Sequence, residues 1–236
     1  MKTQLTSTHG ILVLVFVFLL LILIVVKKYD LLCSFSVQEF NFPKEYLVYI
    51  PYKGKYSKME PTVKKTEAKF LKEGLTNKED GPNKICRIYY DDPKQVKEGR
   101  ALIGCLVTNS KKANEFIKNS TEFKIFEFKG LKGLGVAFPF YNFLNYLSAV
   151  YRGYPKLKEQ LKKNEITREE TRWVLIEIFD YKNKNLKMAV PYLNKNDSIM
   201  EIAADAQVLS DETSLMLKPK KIALRSSSSK SSLKKN

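Results

Sequence analysis

Histidine is nearly missing from this chain: His9 is the single imidazole among 236 residues, and it precedes a long apolar run. The body that follows has none, which excludes Ser-His-Asp and Cys-His nucleophile activation, His-ligated zinc and His-ligated haem there. Cysteine is sparse as well. Cys33, Cys86 and Cys105 form an odd set with no C-x-x-C spacing, a pattern that suits a reducing cytosol rather than a disulfide framework. Cys86 and Cys105 can meet in neighbouring strands, but two thiols do not complete a metal site, so no metal and no cofactor is expected. Acidic residues are outnumbered, 25 against 41 Lys and Arg, giving a formal charge of +16. Aromatic residues are absent beyond Leu193. Ser- and Lys-rich sequence of that kind buries too little apolar surface to fold alone, so 194–236 reads as a disordered basic tail.

What is present in abundance comes first. Every residue from Ile11 to Val26 is Ile, Leu, Val or Phe. At about 1.5 Å per residue this run covers roughly 24 Å, somewhat short of a ~30 Å hydrocarbon core and best suited to a thin membrane such as the endoplasmic reticulum. A cleavable signal peptide would have a shorter core with small residues close behind it. Here Lys27 and Lys28 follow, which favours an uncleaved anchor over 11–26. Basic residues stay on the cytosolic side. Lys2 stands upstream of the run, and Lys27, Lys28 and Lys44 stand downstream. Residues 1–10 are therefore expected outside the cytosol, with the linker 27–34 and the body inside it. The sequons at Asn119 and Asn196 should then carry no glycan. Cys33, beside the span, is a possible lipidation site as well as a plain free thiol.

A charge of +16 raises nucleic acid as a partner for a soluble protein. Beside a cytosolic leaflet the same charge has a simpler use, since each Lys or Arg near an anionic surface contributes about 1 kcal/mol. Membrane lipid is therefore an expected partner of the basic residues, a solvated tail with a general Lys bias at 218–236 being the equal alternative, and nucleic acid is not expected as the main one.

Between the anchor and the tail, periodicity alternates between two and about 3.6. Strands are predicted over 35–42 and 45–52, a helix over 58–74, then strands over 85–90 and 101–107. A short helix at 113–118 follows, then strands at 123–128 and 136–139. The longest helix should run from about 140 to 163, kinked near Gly153 and Pro155, with a hairpin of 173–181 and 185–192 at the end. Leu144, Leu147, Val150, Tyr151, Tyr154, Leu157 and Leu161 fall on or near one face of that helix. One strand-strand-helix-strand-strand pattern occurs twice. Residues 35–193 suffice for a single α+β domain with two packing helices.

The motifs for chemistry are few. Gly130-x-x-Gly133-x-Gly135 lacks the Lys-Ser/Thr of a phosphate loop and reads as a hairpin turn. Asp91-Asp92-Pro93 reads as turn chemistry after a strand. Glu177 differs. It interrupts the apolar strand Trp173–Phe179 on the face shared by Trp173, Leu175 and Phe179, and an unpaired carboxylate there would be costly. It either meets a basic partner or faces a ligand, and both readings stay open.

Several segments together carry a likeness: Tyr89-Tyr90-Asp91-Asp92-Pro93, Gly104-Cys105-Leu106, Phe123–Phe128, Ala137-Phe138-Pro139-Phe140 and Glu177-Ile178-Phe179. In their order and spacing over about 160 residues, anchor included, the chain resembles the testis-expressed protein 264 family, membrane-anchored relatives of GyrI-like small-molecule-binding domains. The resemblance implies two strand-helix-strand-strand repeats forming a curved antiparallel sheet around a groove. It also implies an endoplasmic reticulum membrane protein acting as an adaptor or receptor in reticulum turnover (reticulophagy), with autophagy machinery as partner. The family's modifier-binding motif lies in an acidic tail with an aromatic anchor, and this basic tail has none. Trp173-Val174-Leu175-Ile176 fits that pattern but lies in a predicted core strand.

GyrI-like domains often bind cationic or amphipathic molecules beside a central Glu. Glu177 with Trp173, Phe179 and Tyr141 would form that ligand groove, through carboxylate and cation–π attraction. Some relatives are hydrolases that pair a Glu with an aromatic hydroxyl. Phe179 stands where their common Glu-Ile-Tyr triplet has Tyr, so no enzyme is expected.

Overall fold

The computed structural model describes residues 2–29, 31–42, 44–75, 84–92, 96–128, 130–163, 174–193 and 198–204. Helix α1 (Lys2–Lys28) contains the apolar run and extends it at both ends, so residues 2–10 continue the same helix. Its stretch His9–Lys28 has a mean hydropathy of 3.3, with none of it buried in the protein. Among the described residues it is the one helix long and apolar enough to cross a membrane.

The body is an α+β domain on a single antiparallel sheet of eight strands. In chain order these are β1 (Gln38–Asn41), β2 (Tyr46–Gly54), β3 (Lys84–Tyr89), β4 (Gly99–Val107), β5 (Lys124–Glu127), β6 (Lys132–Pro139), β7 (Leu175–Asp180) and β8 (Asn185–Pro191). Helix α2 (Glu60–Lys72) follows β2, and α3 (Ser110–Asn119) follows β4. Between β6 and β7 come α4 (Phe143–Ser148), a π-helical turn (Ala149–Gly153) and α5 (Tyr154–Lys163).

The sheet order is β1-β6-β8-β7-β3-β4-β2-β5. Each repeat is strand, helix, strand, strand: β2-α2-β3-β4 and β6-α4/α5-β7-β8. The two halves meet at the β3–β7 pair, which puts Arg87 opposite Glu177 and Tyr89 opposite Leu175.

Short links from β1 to β2 and from β5 to β6 join strands at opposite ends of this order, which forces the sheet to curl. The ends meet there. Phe42 N–H donates to the Leu131 carbonyl (2.7 Å) and Phe128 N–H to that of Glu45 (2.9 Å), while the Phe42 and Phe128 rings stack at 6.1 Å. The glycine cluster therefore makes no hairpin, because β5 and β6 pair with other strands. Gly130 turns the link with φ +76. Gly133 and Gly135 lie inside β6, and a Cβ on Gly133 would overlap the Val190 carbonyl.

Apolar residues on both faces of the strands give two cores. On the helical face, Val63 and Phe70 of α2, Phe116 of α3 and Leu157 and Leu161 of α5 pack on Ile85, Ile103, Phe179 and Met188. Cys86 and Cys105, expected as possible neighbours, project into different cores because their positions are offset by one residue in the β3–β4 register. The second core holds Leu47, Ile88, Leu102 and Ile176 and is closed partly by α6 (Ser198–Glu201), whose Ile199 is buried. Residues 198–204 are thus helical within the stretch 194–236 that was expected as a disordered tail. Tyr90 fixes this segment by donating its hydroxyl to the Ile199 carbonyl (2.9 Å). Residues 205–236 of the tail lie outside the described residues.

The long helix departs from its expected face. Asn145, Ala149, Gly153, Leu157 and Leu161 are buried, whereas Leu144 and Tyr151 are exposed. Pro155 has no N–H to continue an α-helical ladder, and the wider π turn before it carries the chain past that position. Gly153 then lies against the Phe138 ring with no room for a Cβ.

Candidate ligand-binding groove

Over the β3–β7 seam the helices of the two repeats part and leave a groove of about 1190 Å³. Its floor is Arg87 and Tyr89 of β3 with Leu175, Glu177 and Phe179 of β7. One wall is the entry to α2, with Tyr56, Met59 and Glu60; the other is α4, the π turn and the start of α5, with Tyr146 and Tyr154. Tyr141, Phe143, Tyr151 and Lys184 stand at the rim. The lining is thus chiefly aromatic with a few convergent polar groups, the make-up of a small-molecule site.

Glu177 is 2% exposed. Tyr89 donates its hydroxyl to Oε2 at 2.9 Å, and Tyr146 donates to Oε1 at a long 3.5 Å. Burial raises the carboxyl above its ordinary range, with Arg87 and the two hydroxyls opposing that shift. The same burial, reinforced by the Glu177 charge, holds the Tyr89 hydroxyl well above the usual phenol range. Arg87 Cζ lies 4.5 Å from the centre of the Phe179 ring, and its Nη2 is 3.5 Å from Glu60 Oε2. Burial alone would lower its pKa, but the neighbouring Tyr89, Glu177, Tyr146 and Glu60 side chains raise it on balance, so Arg87 stays charged. Its Nε is buried and has no hydrogen-bond partner among the described residues.

Of the residues singled out from sequence, Glu177 and Phe179 come together on the floor. Tyr141 is a rim residue instead, largely exposed, with Lys184 Nζ 5.8 Å from its ring centre. Trp173 lies outside the described residues. Glu177 borders the groove and stands opposite a cation, Arg87, that comes from the neighbouring strand and not from a helix. Arg87, Tyr89 and Tyr146 escaped the sequence reading. One signal was available: within β3 and β7 a single charge, Arg87 and Glu177 respectively, is flanked on both sides by apolar residues, and the two have opposite sign. Cys33, near the span, is half-buried, and its carbonyl accepts from Arg152 (2.9 Å).

The buried thiols have no role in this groove. Burial pushes Cys105 up to about 12 and Cys86 well above its ordinary value, so neither is a ready nucleophile. Among the described residues no group of three or more His, Cys, Asp or Glu could hold a metal.

No protein-family model and no curated protein matches the chain. Several solved structures are similar to it. The EcmrR C-terminal domain is 12% identical with a TM-score of 0.42, covering 67% of this chain and 98% of that one. SAV2435, solved bound to tetraphenylphosphonium, is 10% identical with a TM-score of 0.40, covering 67% and 93%. A hydrolase from Listeria innocua is 12% identical with a TM-score of 0.37, covering 66% and 90%. The likeness is distant, and the architecture rests on the strand pairing itself.

Proposed function

We propose that the chain is a membrane-tethered, non-enzymatic binding protein whose groove holds an amphipathic small molecule. The observation that carries this is a buried carboxylate, Glu177, on the floor of an open aromatic groove, kept in place by Tyr89 and opposed by Arg87. The aromatic walls take the apolar body of the ligand, and Glu177 takes its polar or cationic head. Binding rather than turnover is favoured because both hydroxyls at Glu177 are pushed up by burial and make poor acids at neutral pH.

Tetraphenylphosphonium is a suitable probe. The full-length protein in detergent should melt at higher temperature with this cation than with an uncharged aromatic of similar size, and Glu177→Gln should abolish the difference. Unchanged shifts across a panel of lipophilic cations in the Glu177→Gln variant would sink the assignment of Glu177.

For the tether, the short apolar span supports the reticulum membrane, and Lys27 and Lys28 support a cytosolic body. An adaptor role in reticulum turnover is the second reading, supported by the resemblance and the anchor. Absence of the tagged protein from reticulum membranes would remove both the location and that role, and leave the groove assignment standing.

A further inference from the structure

The segment after the span is tied to the helix that walls the groove. Asn145 Nδ2 donates to the Tyr29 carbonyl at 2.6 Å. Ser148 Oγ and Arg152 Nη1 both donate to that of Leu31, at 2.8 and 2.6 Å. Lys156 Nζ reaches the Phe35 carbonyl at 3.2 Å, and the Phe35 and Phe138 rings lie 4.4 Å apart. Tyr29, Leu31, Cys33 and Phe35 therefore follow α4 and α5 in the same direction, from Asn145 towards Lys156.

This fixes how far the groove stands from the span. Helix α1 ends at Lys28, and Tyr29 and Leu31 still donate their N–H groups to the Val25 and Val26 carbonyls. Asn145 thus grips the chain one residue past the helix end, and one trans peptide advances only about 3.8 Å. The headgroup zone on each side of the hydrocarbon is about 5–7 Å deep. The first turn of α4 consequently lies where Lys27 and Lys28 leave the span.

That turn is apolar and uncovered. Phe143 is 67% exposed and Tyr141 and Leu144 are exposed too, although Asn145 between them and the core is buried. Lys184 stands over Tyr141. Aromatic residues beside lysines are what a bilayer interface collects.

We infer that the first turn of α4, with Tyr141, Phe143 and Leu144, seats in the interface of the membrane that α1 spans, so that the groove takes amphiphiles already partitioned into that bilayer. The inference rests on the tether reading of α1. Tyr151, equally uncovered but farther along the helix away from the span, sits shallower than Phe143.

The test uses the full chain reconstituted in phosphatidylcholine–phosphatidylserine vesicles with brominated acyl chains, which quench tryptophan at contact. Single tryptophans are placed by Phe18→Trp, Phe143→Trp and Tyr151→Trp in a Trp173→Phe background, or with the Trp173 signal subtracted where that background does not fold. Strong quenching is expected at 18, clear quenching at 143 and little at 151. Quenching at 18 without quenching at 143 overturns the docking and keeps the tether. No quenching at 18 overturns both. Quenching at 151 as strong as at 143 overturns the orientation. Leu144→Trp reports on the same turn should Phe143→Trp not fold.

Discussion

Arg87 and Glu177 face each other across the β3–β7 pair, on the seam where the two repeats join. Arg87 lies over the Phe179 ring at 4.5 Å, the position that a cationic ligand of Glu177 would otherwise take. On the proposed reading Arg87 competes with a cationic ligand for that ring, while Glu60 at 3.5 Å offers the guanidinium another partner.

Replacing that cation should strengthen cation binding. Arg87→Met keeps the buried stem and removes the charge, and tetraphenylphosphonium affinity should rise about tenfold, the equivalent of roughly 1.4 kcal/mol. Isothermal titration of the full chain in detergent reads this directly. A weaker complex in Arg87→Met would show that the guanidinium aids the ligand instead.

Protonation gives an independent handle. Glu177 has its pKa raised above the ordinary carboxylate value by burial, despite Arg87 and the hydroxyls. Protonated Glu177 is neutral, so cation affinity should fall as pH drops, with a midpoint above the ordinary glutamate value of 4.5. The sign for stability is opposite: ionised Glu177 is the disfavoured form in the fold, so its contribution improves as pH falls from the raised value to the unfolded one. Affinity that stays flat from neutral pH to that range would count against Glu177 as the acceptor.

Asp91 should act in the reverse sense. It desolvates on folding, but Arg100 more than compensates: Nε and Nη2 donate to its carboxylate at 3.0 and 2.8 Å, and the Arg100 backbone N–H does so at 2.8 Å. Its pKa is lowered as a result. The stabilisation is present above the unfolded value of 3.8 and is lost as pH falls through the lower folded one. Asp91→Asn should cost about 1–2 kcal/mol at neutral pH, allowing for solvent screening, measured by urea unfolding. Its cost should vanish in strong acid.

Gly153 tests the packing of the groove wall. Alanine there drives a methyl into the Phe138 ring, and overpacking of this kind costs about 1–3 kcal/mol. The melting temperature should fall, and tetraphenylphosphonium binding should weaken as the π turn moves. An unchanged melt would mean that α4 and α5 are seated more loosely on β6.

The strands and helices were legible because burial on one or both faces leaves a period in the sequence. The β2-α2-β3-β4 and β6-α4/α5-β7-β8 order, a turn around 182–184 and a helix over 58–74, found as Glu60–Lys72, follow from spacing. The glycines at 133 and 135 misled because local sequence shows a need for small residues without showing whether a turn or a neighbouring backbone imposes it. The face of the long helix misled because one π turn shifts its periodicity by part of a turn, placing Leu144 and Tyr151 outside. Ile199 and Ala203 were missed because the apolar stretch 199–204 is too short, in an otherwise polar tail, to show a period.

Sequence by itself determined the apolar span, its basic flank, the two repeats and the anomaly of a carboxylate at 177, since each is a property of consecutive residues. Only the tertiary structure decided what surrounds that carboxylate. Tyr89, Arg87 and Tyr146 lie between 31 and 90 residues away along the chain and reach Glu177 because antiparallel pairing across the seam and the seating of α4 are long-range choices. It likewise decided that the groove wall holds the segment leaving the membrane, through side-chain bonds over more than a hundred residues of separation.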